Sequence, residues 1–191
     1  MDEYYYERRY LKIRNAYDMC DYVKLSKILT KYTNLDRFVW ACLEGDLVNA
    51  KKIYDEGGMD IRMCNDCLIR FSCKYRGNLP MITWLYREGC IDLSSDVGNK
   101  LFALACYTGK QDVAMWLYEI GGIDVHYDND LPFRFSVIRG NLTIAYWLYM
   151  VYNCVVDNHC DYLKPLWWIN GNTEKMDDIN EFLKSIGIDS V

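Results

Sequence analysis

The stretch VAMWLYEIGGIDVH, residues 113–126, reads as the end of an apolar helix, a glycine stop and a short extended run beyond it. Related segments stand at NAKKIYDEGGMDIR (49–62), MITWLYREGCIDLS (81–94) and IAYWLYMVYNCVVD (144–157). The tyrosines that close their shared core, Tyr54, Tyr86, Tyr118 and Tyr149, are separated by 32, 32 and 31 residues. A fixed period of this size marks stacked supersecondary units, none of which can bury its apolar faces alone.

Each copy has an upstream half: RFVWACLEGDL from 37, LIRFSCKYRGNL from 68, LFALACYTGKQ from 101 and PFRFSVIRGNL from 132. Gly45, Gly77, Gly109 and Gly140 mark its end, where a chain leaving a helix commonly turns through positive φ; that conformation is predicted for 45, 77 and 109. Asp46, Asn78 and Asn141 follow three of these glycines and can cap the next helix, whereas Lys110 breaks the pattern. Pro80 falls in the first turn of that helix, where a missing N–H costs little. Each unit therefore reads as helix, tight turn, helix.

The columns agree with this frame. In the second helices Ala50, Ile82, Ala114 and Ala145 recur three residues before Ile53, Leu85, Leu117 and Leu148, which places both sets on one face. In the first helices the small residues Ala41, Ser72, Ala105 and Ser136 allow close approach, with Phe38, Ile69, Phe102 and Phe133 as the larger knobs. Repeat two carries one extra residue, SCKYRG against ACLEG, and predicts an irregularity near Tyr75. Glycines 57–58, 89 and 121–122 stop the second helices. The extended residues Ile61, Leu93 and Val125 and turn formers such as Asn65–Asp66 and Asp128–Asn129 then lead into the next unit.

Composition narrows the function. With 191 residues, 51% of them hydrophobic, the chain can bury a core, and a net charge of -5 argues against a non-specific grip on nucleic acid. No apolar run reaches the roughly 18–20 residues of a membrane span, and MDEYYYERRY lacks the apolar segment of a secretory signal, so an intracellular protein with no membrane partner is expected. Nine cysteines, an odd number without framework spacing, fit reduced thiols better than disulfides.

Two cysteine groups call for comparison with zinc ligand sets: Cys64, Cys67 and Cys73, and Cys154, His159 and Cys160. In the repeat frame they lie three stacking steps apart, roughly 25–30 Å at helix-packing distances. With zinc–sulfur bonds of about 2.3 Å they cannot share an ion. Each group alone offers three ligands, and ordinary packed cysteines are the simpler reading, so no metal and no cofactor is assigned. Catalysis finds less support still: the only histidines are His126 and His159, and spacing gives neither a partner. The column Trp84, Trp116 and Trp147 is read as aromatic packing between successive second helices rather than as a ligand ladder.

The helix–turn–helix unit with its Gly-Gly or Gly-Cys stop resembles the ankyrin-repeat family over roughly residues 35–157. Pro132 in LPFR takes the place of the proline in the family's Thr-Pro-Leu-His signature and Arg134 that of the histidine, while repeats one to three lack the proline. AMWLYEIGGIDVH is most similar to the divergent ankyrin-repeat proteins of giant DNA viruses. The resemblance implies an all-α, ankyrin-like repeat solenoid of stacked helix pairs with short hairpin loops and helical caps. Its expected divisions are N-terminal capping helices (1–34, with a helix in 15–32), four repeats (35–66, 67–98, 99–130, 131–157) and C-terminal capping helices (158–191, near 161–169 and 174–186). It further implies a non-catalytic protein–protein interaction module, a monomer whose partner is another protein. It also implies action as a viral adaptor in host cytoplasm or viral factory. The alternative is a self-associating or virion-packaged structural protein. Partner contacts are expected from loop tips and the outward side of the first helices, where Arg62, Met63, Arg70, Tyr75, His126, Tyr127, Arg134 and Arg139 mix arginine with aromatic residues. For Arg70 and Arg134, at equivalent positions, a bond to the neighbouring loop is the competing role.

Overall fold

The computed structural model describes residues 5, 7–8, 11–12, 33–94, 96–154 and 173–187. The helices predicted within 15–32 and near 161–169 lie outside them. The fold is all-α: the described residues contain no strand, and no helix among them is long and apolar enough to cross a membrane. The helices are α1 (Asn34–Glu44), α2 (Leu47–Asp55), α3 (Met63–Lys74), α4 (Leu79–Gly89), α5 (Asp96–Thr108), α6 (Gln111–Ile120), α7 (Tyr127–Ile138), α8 (Leu142–Tyr152) and α9 (Thr173–Ser185). The chain divides into two compact units, Met1–Ile91 and Asp92–Val191.

In the first unit α1 opens on a capping box: Thr33 accepts from the Asp36 N–H, and the Asp36 carboxylate accepts from the Thr33 N–H at 2.9 Å. Helix α1 packs on α2 and α3, and α3 on α4, so first helices meet first helices. Phe38, Ala41, Ile69 and Ser72 are fully or almost fully buried at that contact, and the Ser72 hydroxyl donates to the Cys42 carbonyl at 2.9 Å. A hydroxyl can reach a neighbouring helix's carbonyl only where small residues let the backbones close up. The second unit repeats the plan with α5 against α6 and α7, and α7 against α8. Phe102, Ala105, Phe133 and Ser136 are its buried counterparts. Along α9, Ile179, Phe182 and Leu183 are buried, with Phe182 6.5 Å from Phe133 between ring centroids, and Asp177, Asp178, Glu181 and Lys184 face solvent.

Each unit also holds the same aromatic cluster. Trp84 lies 5.5 Å from Tyr54 and 6.3 Å from Phe38, edge-on to both; Trp147 lies 6.0 Å from Tyr118 and 6.3 Å from Phe102. The tryptophans on α4 and α8 thus pack across to the preceding second helix and into the first-helix core. This is aromatic packing, worth about 0.5–1.5 kcal/mol per pair beyond the area buried.

The turns depart from the sequence pattern in two places. Gly45 and Gly109 are left-handed at φ 77° and 76°, but Gly77 does not have positive φ. The extra residue of repeat two is the reason: α3 ends at Lys74, Tyr75 leaves the helix at φ -103° and ψ -131°, and the chain has already turned before the glycine. Gly77 is required instead by closeness, since a Cβ there would sit 2.4 Å from the Ser72 carbonyl oxygen. Gly77→Ala should therefore cost about 1–3 kcal/mol by overpacking, with no contribution from backbone handedness. Thermal unfolding followed by circular dichroism checks it; an unchanged midpoint would refute the close approach.

The second departure concerns caps. Asp46 and Asn78 accept from the N–H groups of Asn49 and Met81, both at 3.1 Å, as N-caps do. Asn141 makes no side-chain cap bond. Its amide reaches back 35 residues and donates to the Cys106 and Tyr107 carbonyls, at 2.8 and 3.0 Å, satisfying the carbonyl end of α5. Asn78 does the same toward the Gly45 carbonyl, at 3.3 Å, while also capping.

Candidate protein-binding face

The loops between helix pairs are built on one device. Asp60, Asp92 and Asp124, spaced by 32 residues, each accept with Oδ1 the backbone N–H two residues on, from Arg62, Ser94 and His126 at 2.9, 2.9 and 3.0 Å. The residue between, Ile61, Leu93 or Val125, is buried. An Asx turn pins the tip while the apolar side chain anchors it. In the second unit the Asp124 N–H also donates to Asn99 of α5 at 2.8 Å. The aspartates were visible in the sequence as the D of MDIR, IDLS and IDVH, but only their bonding shows that they shape the loop.

The candidate contact residues are distributed over this frame, and most are engaged within the chain. Arg62 is exposed and pairs with Asp66, Nε to Oδ1 at 3.2 Å. Tyr75 is half-buried, because its hydroxyl donates to Glu7 at 2.6 Å beside the Lys74 ammonium at 2.7 Å. Burial raises the Glu7 carboxyl, but those two bonds and the lysine charge outweigh it and hold it below its usual range. Arg70 is half-buried on α3. The side chains of Met63 and Cys64 lie outside the described residues.

In the second unit the half-buried Tyr127 donates its hydroxyl to Asp96 at 2.7 Å. The Asp96 carboxyl is held below its usual range, first by Lys100 and then by that phenol. Arg134 donates to the Asp128 carbonyl, the loop-bonding role weighed for it from its position. Arg139 is exposed and lies 4.7 Å over the Tyr107 ring, a cation–π contact. These bonds order the face but leave the guanidinium groups of Arg62 and Arg139 in reach of solvent.

A different surface carries the exposed apolar area. Met115, Tyr118 and Ile120 on α6 and Tyr146, Met150 and Val151 on α8 are all exposed, up to 56% at Met150 and Val151. Among the described residues no first helix has an exposed large hydrophobic side chain. Sequence periodicity assigned the second helices to packing and so overlooked their outer side.

One further cluster joins residues far apart in sequence. The His126 Nδ1 is 2.6 Å from Asp130 Oδ1 and 3.8 Å from Cys154 Sγ, and ligand-type atoms of all three lie within 4.8 Å of one another. Asp130 follows Asp128 and Asn129 in a left-handed run at φ 51°, 54° and 58°, a conformation that Asp and Asn tolerate better than other side-chain-bearing residues. It turns the carboxylate back toward the imidazole. Burial, followed by the charge of Asp130 and then Asp124, pushes the Cys154 thiol up to about 12. Its sequence neighbours His159 and Cys160 lie outside the described residues. Cys42, Cys67, Cys73 and Cys106 are buried in the cores, and burial also drives the Cys42 thiol far above its ordinary range. No family model, curated protein or solved structure matches the chain.

Proposed function

We propose that the chain is a non-catalytic protein-binding module, an ankyrin-like array of helix pairs whose loop tips and first-helix surfaces meet another protein. The observation that supports this most is the loop device. Three tips at a 32-residue spacing are each pinned by an aspartate and an apolar anchor, so a partner meets a preordered surface and less conformational entropy is lost on binding. Exposed arginines beside half-buried tyrosines supply contact chemistry of the kind found at binding hot spots. The likeness of residues 113–126 to viral ankyrin repeats extends the proposal to a host-directed adaptor acting in host cytoplasm or viral factory.

A second reading, a self-associating structural protein, is favoured by one observation: the exposed apolar side of α6 and α8. The two readings separate in one experiment. Once a partner is captured from cell lysate and identified, Arg139→Glu combined with Tyr127→Ala should weaken its binding at least about tenfold, the loss of one hot-spot contact. The melting temperature should stay within a few degrees, since Arg139 is exposed and Tyr127 only half-buried. Binding that survives this pair but is lost in Tyr146→Ser/Met150→Ser refutes the proposed face. A chain that is dimeric by native mass spectrometry, and is made monomeric by the serine pair, establishes self-association in its place.

A further inference from the structure

The cluster of His126, Asp130 and Cys154 combines nitrogen, oxygen and sulfur donors on two loop segments of one unit. Its geometry argues against a nucleophile. In a Cys–His–Asp relay the thiol and the carboxylate face opposite nitrogens of the ring, so that a proton taken at one is balanced at the other. Here both partners face the same nitrogen, Nδ1, at 3.8 and 2.6 Å. The three groups point at one place rather than forming a chain, and convergence on a point is the geometry of ligation.

We propose that His126 Nδ1, Asp130 Oδ and Cys154 Sγ form a site for a divalent cation of the zinc class. Bond lengths of about 2.0–2.3 Å in a tetrahedral site place donor atoms about 3.3–3.6 Å apart. The sulfur–nitrogen distance already agrees to a few tenths of an ångström. The imidazole–carboxylate hydrogen bond must open by about 1 Å, and the His126 side chain, 53% exposed, has room to turn. The other two donors are held: Cys154 is fully buried and the Asp130 side chain is 13% exposed. The backbone on either side of the imidazole is fixed as well, through the Asp124 bond to the His126 N–H and the Asp130 N–H donated to the His126 carbonyl at 3.2 Å. A thiolate, an imidazole and a carboxylate select zinc-like ions over magnesium or calcium, which prefer all-oxygen sets. On binding, the thiol proton and any proton on Nδ1 leave, the first to solvent and the second to solvent or Nε2, and the charges of thiolate and carboxylate balance the dication. The exposed imidazole edge gives the ion its way in, and three protein ligands leave one position for water.

The first unit contains an internal control. Sixty-four residues earlier, Arg62 and Asp66 stand where His126 and Asp130 stand, paired at 3.2 Å, and Cys90 precedes Cys154 by the same step. A guanidinium supplies permanent positive charge to that loop and cannot ligate. Histidine has no permanent charge, so in the second unit the positive charge among Asp124, Asp130 and Cys154 has to come from a bound ion. Repeat three has Ser94 and Gly98 at these positions and no such cluster.

The test uses the full chain, reduced and stripped of metal, titrated with cobalt(II). One equivalent should bind with a thiolate-to-cobalt charge-transfer band and the visible bands of a tetrahedral ion, and zinc(II) should displace it. Cys154→Ser should abolish the charge-transfer band, while His126→Ala, a change at an exposed side chain, should weaken binding at least about tenfold. Cys90→Ser should leave the titration unchanged. The absence of a thiolate band in the unaltered chain overturns the proposal. So does a band that persists in Cys154→Ser or a cobalt affinity indifferent to His126→Ala; the second variant keeps the test decisive should the first fail to fold.

Discussion

Phe102→Ala should remove about 3–5 kcal/mol of folding free energy, as deletion of a fully buried aromatic side chain does when its surroundings cannot collapse into the space. The ring is 0% exposed on α5, the helix that packs against both α6 and α7, and lies 6.3 Å from Trp147. Helices on several sides hold the cavity open, so relaxation recovers little. The edge-on aromatic contact is lost in addition to the apolar area. Urea unfolding of the full chain, read by tryptophan fluorescence and by circular dichroism, measures the change. Tyr146→Ala, at a side chain 52% exposed, should alter stability by no more than about 0.5 kcal/mol and serves as the comparison. If the two variants unfold at the same denaturant concentration, the α5 core has been assigned wrongly.

Gly109→Val acts through the backbone and should destabilise by about 2–4 kcal/mol, the sum of left-handed strain of ~1–2 kcal/mol and the partial loss of two bonds to carbonyl groups. The glycine is at φ 76°, which a β-branched residue strongly resists, and its added Cβ would lie 2.7 Å from Asn141 Oδ1. Asn141 would have to move, and with it the amide that donates to the Cys106 and Tyr107 carbonyls. Comparison with Asn141→Ala separates the contributions. That change removes the tie and leaves the glycine conformation, so it should account for roughly half of the loss, and in the double variant the two losses should fall short of additive. Strict additivity would show that Gly109 and Asn141 do not act on one another.

The sequence by itself determined the helices, their turns and the buried columns. Each follows from local chemistry repeated at a period: apolar residues three and four apart, a glycine to stop a helix, an aspartate or asparagine after it. Ala41, Ser72, Ala105 and Ser136 are buried because a 32-residue recurrence of small residues on an apolar face has no use except close packing of like against like. What the tertiary structure alone decided is which atom each polar group meets. Asn141 has a cap residue's position yet bonds the turn of the preceding helix pair, and Gly77 is needed for closeness rather than handedness. Tyr75 and Tyr127, read as contact residues, spend their hydroxyls on Glu7 and Asp96, 68 and 31 residues away. Cys154, grouped by spacing with His159 and Cys160, is set instead against His126 and Asp130. Periodicity specifies a face to within a turn of helix, about 5 Å, whereas a hydrogen bond or a ligand set is specified to a few tenths of an ångström by chain segments that sequence distance does not relate.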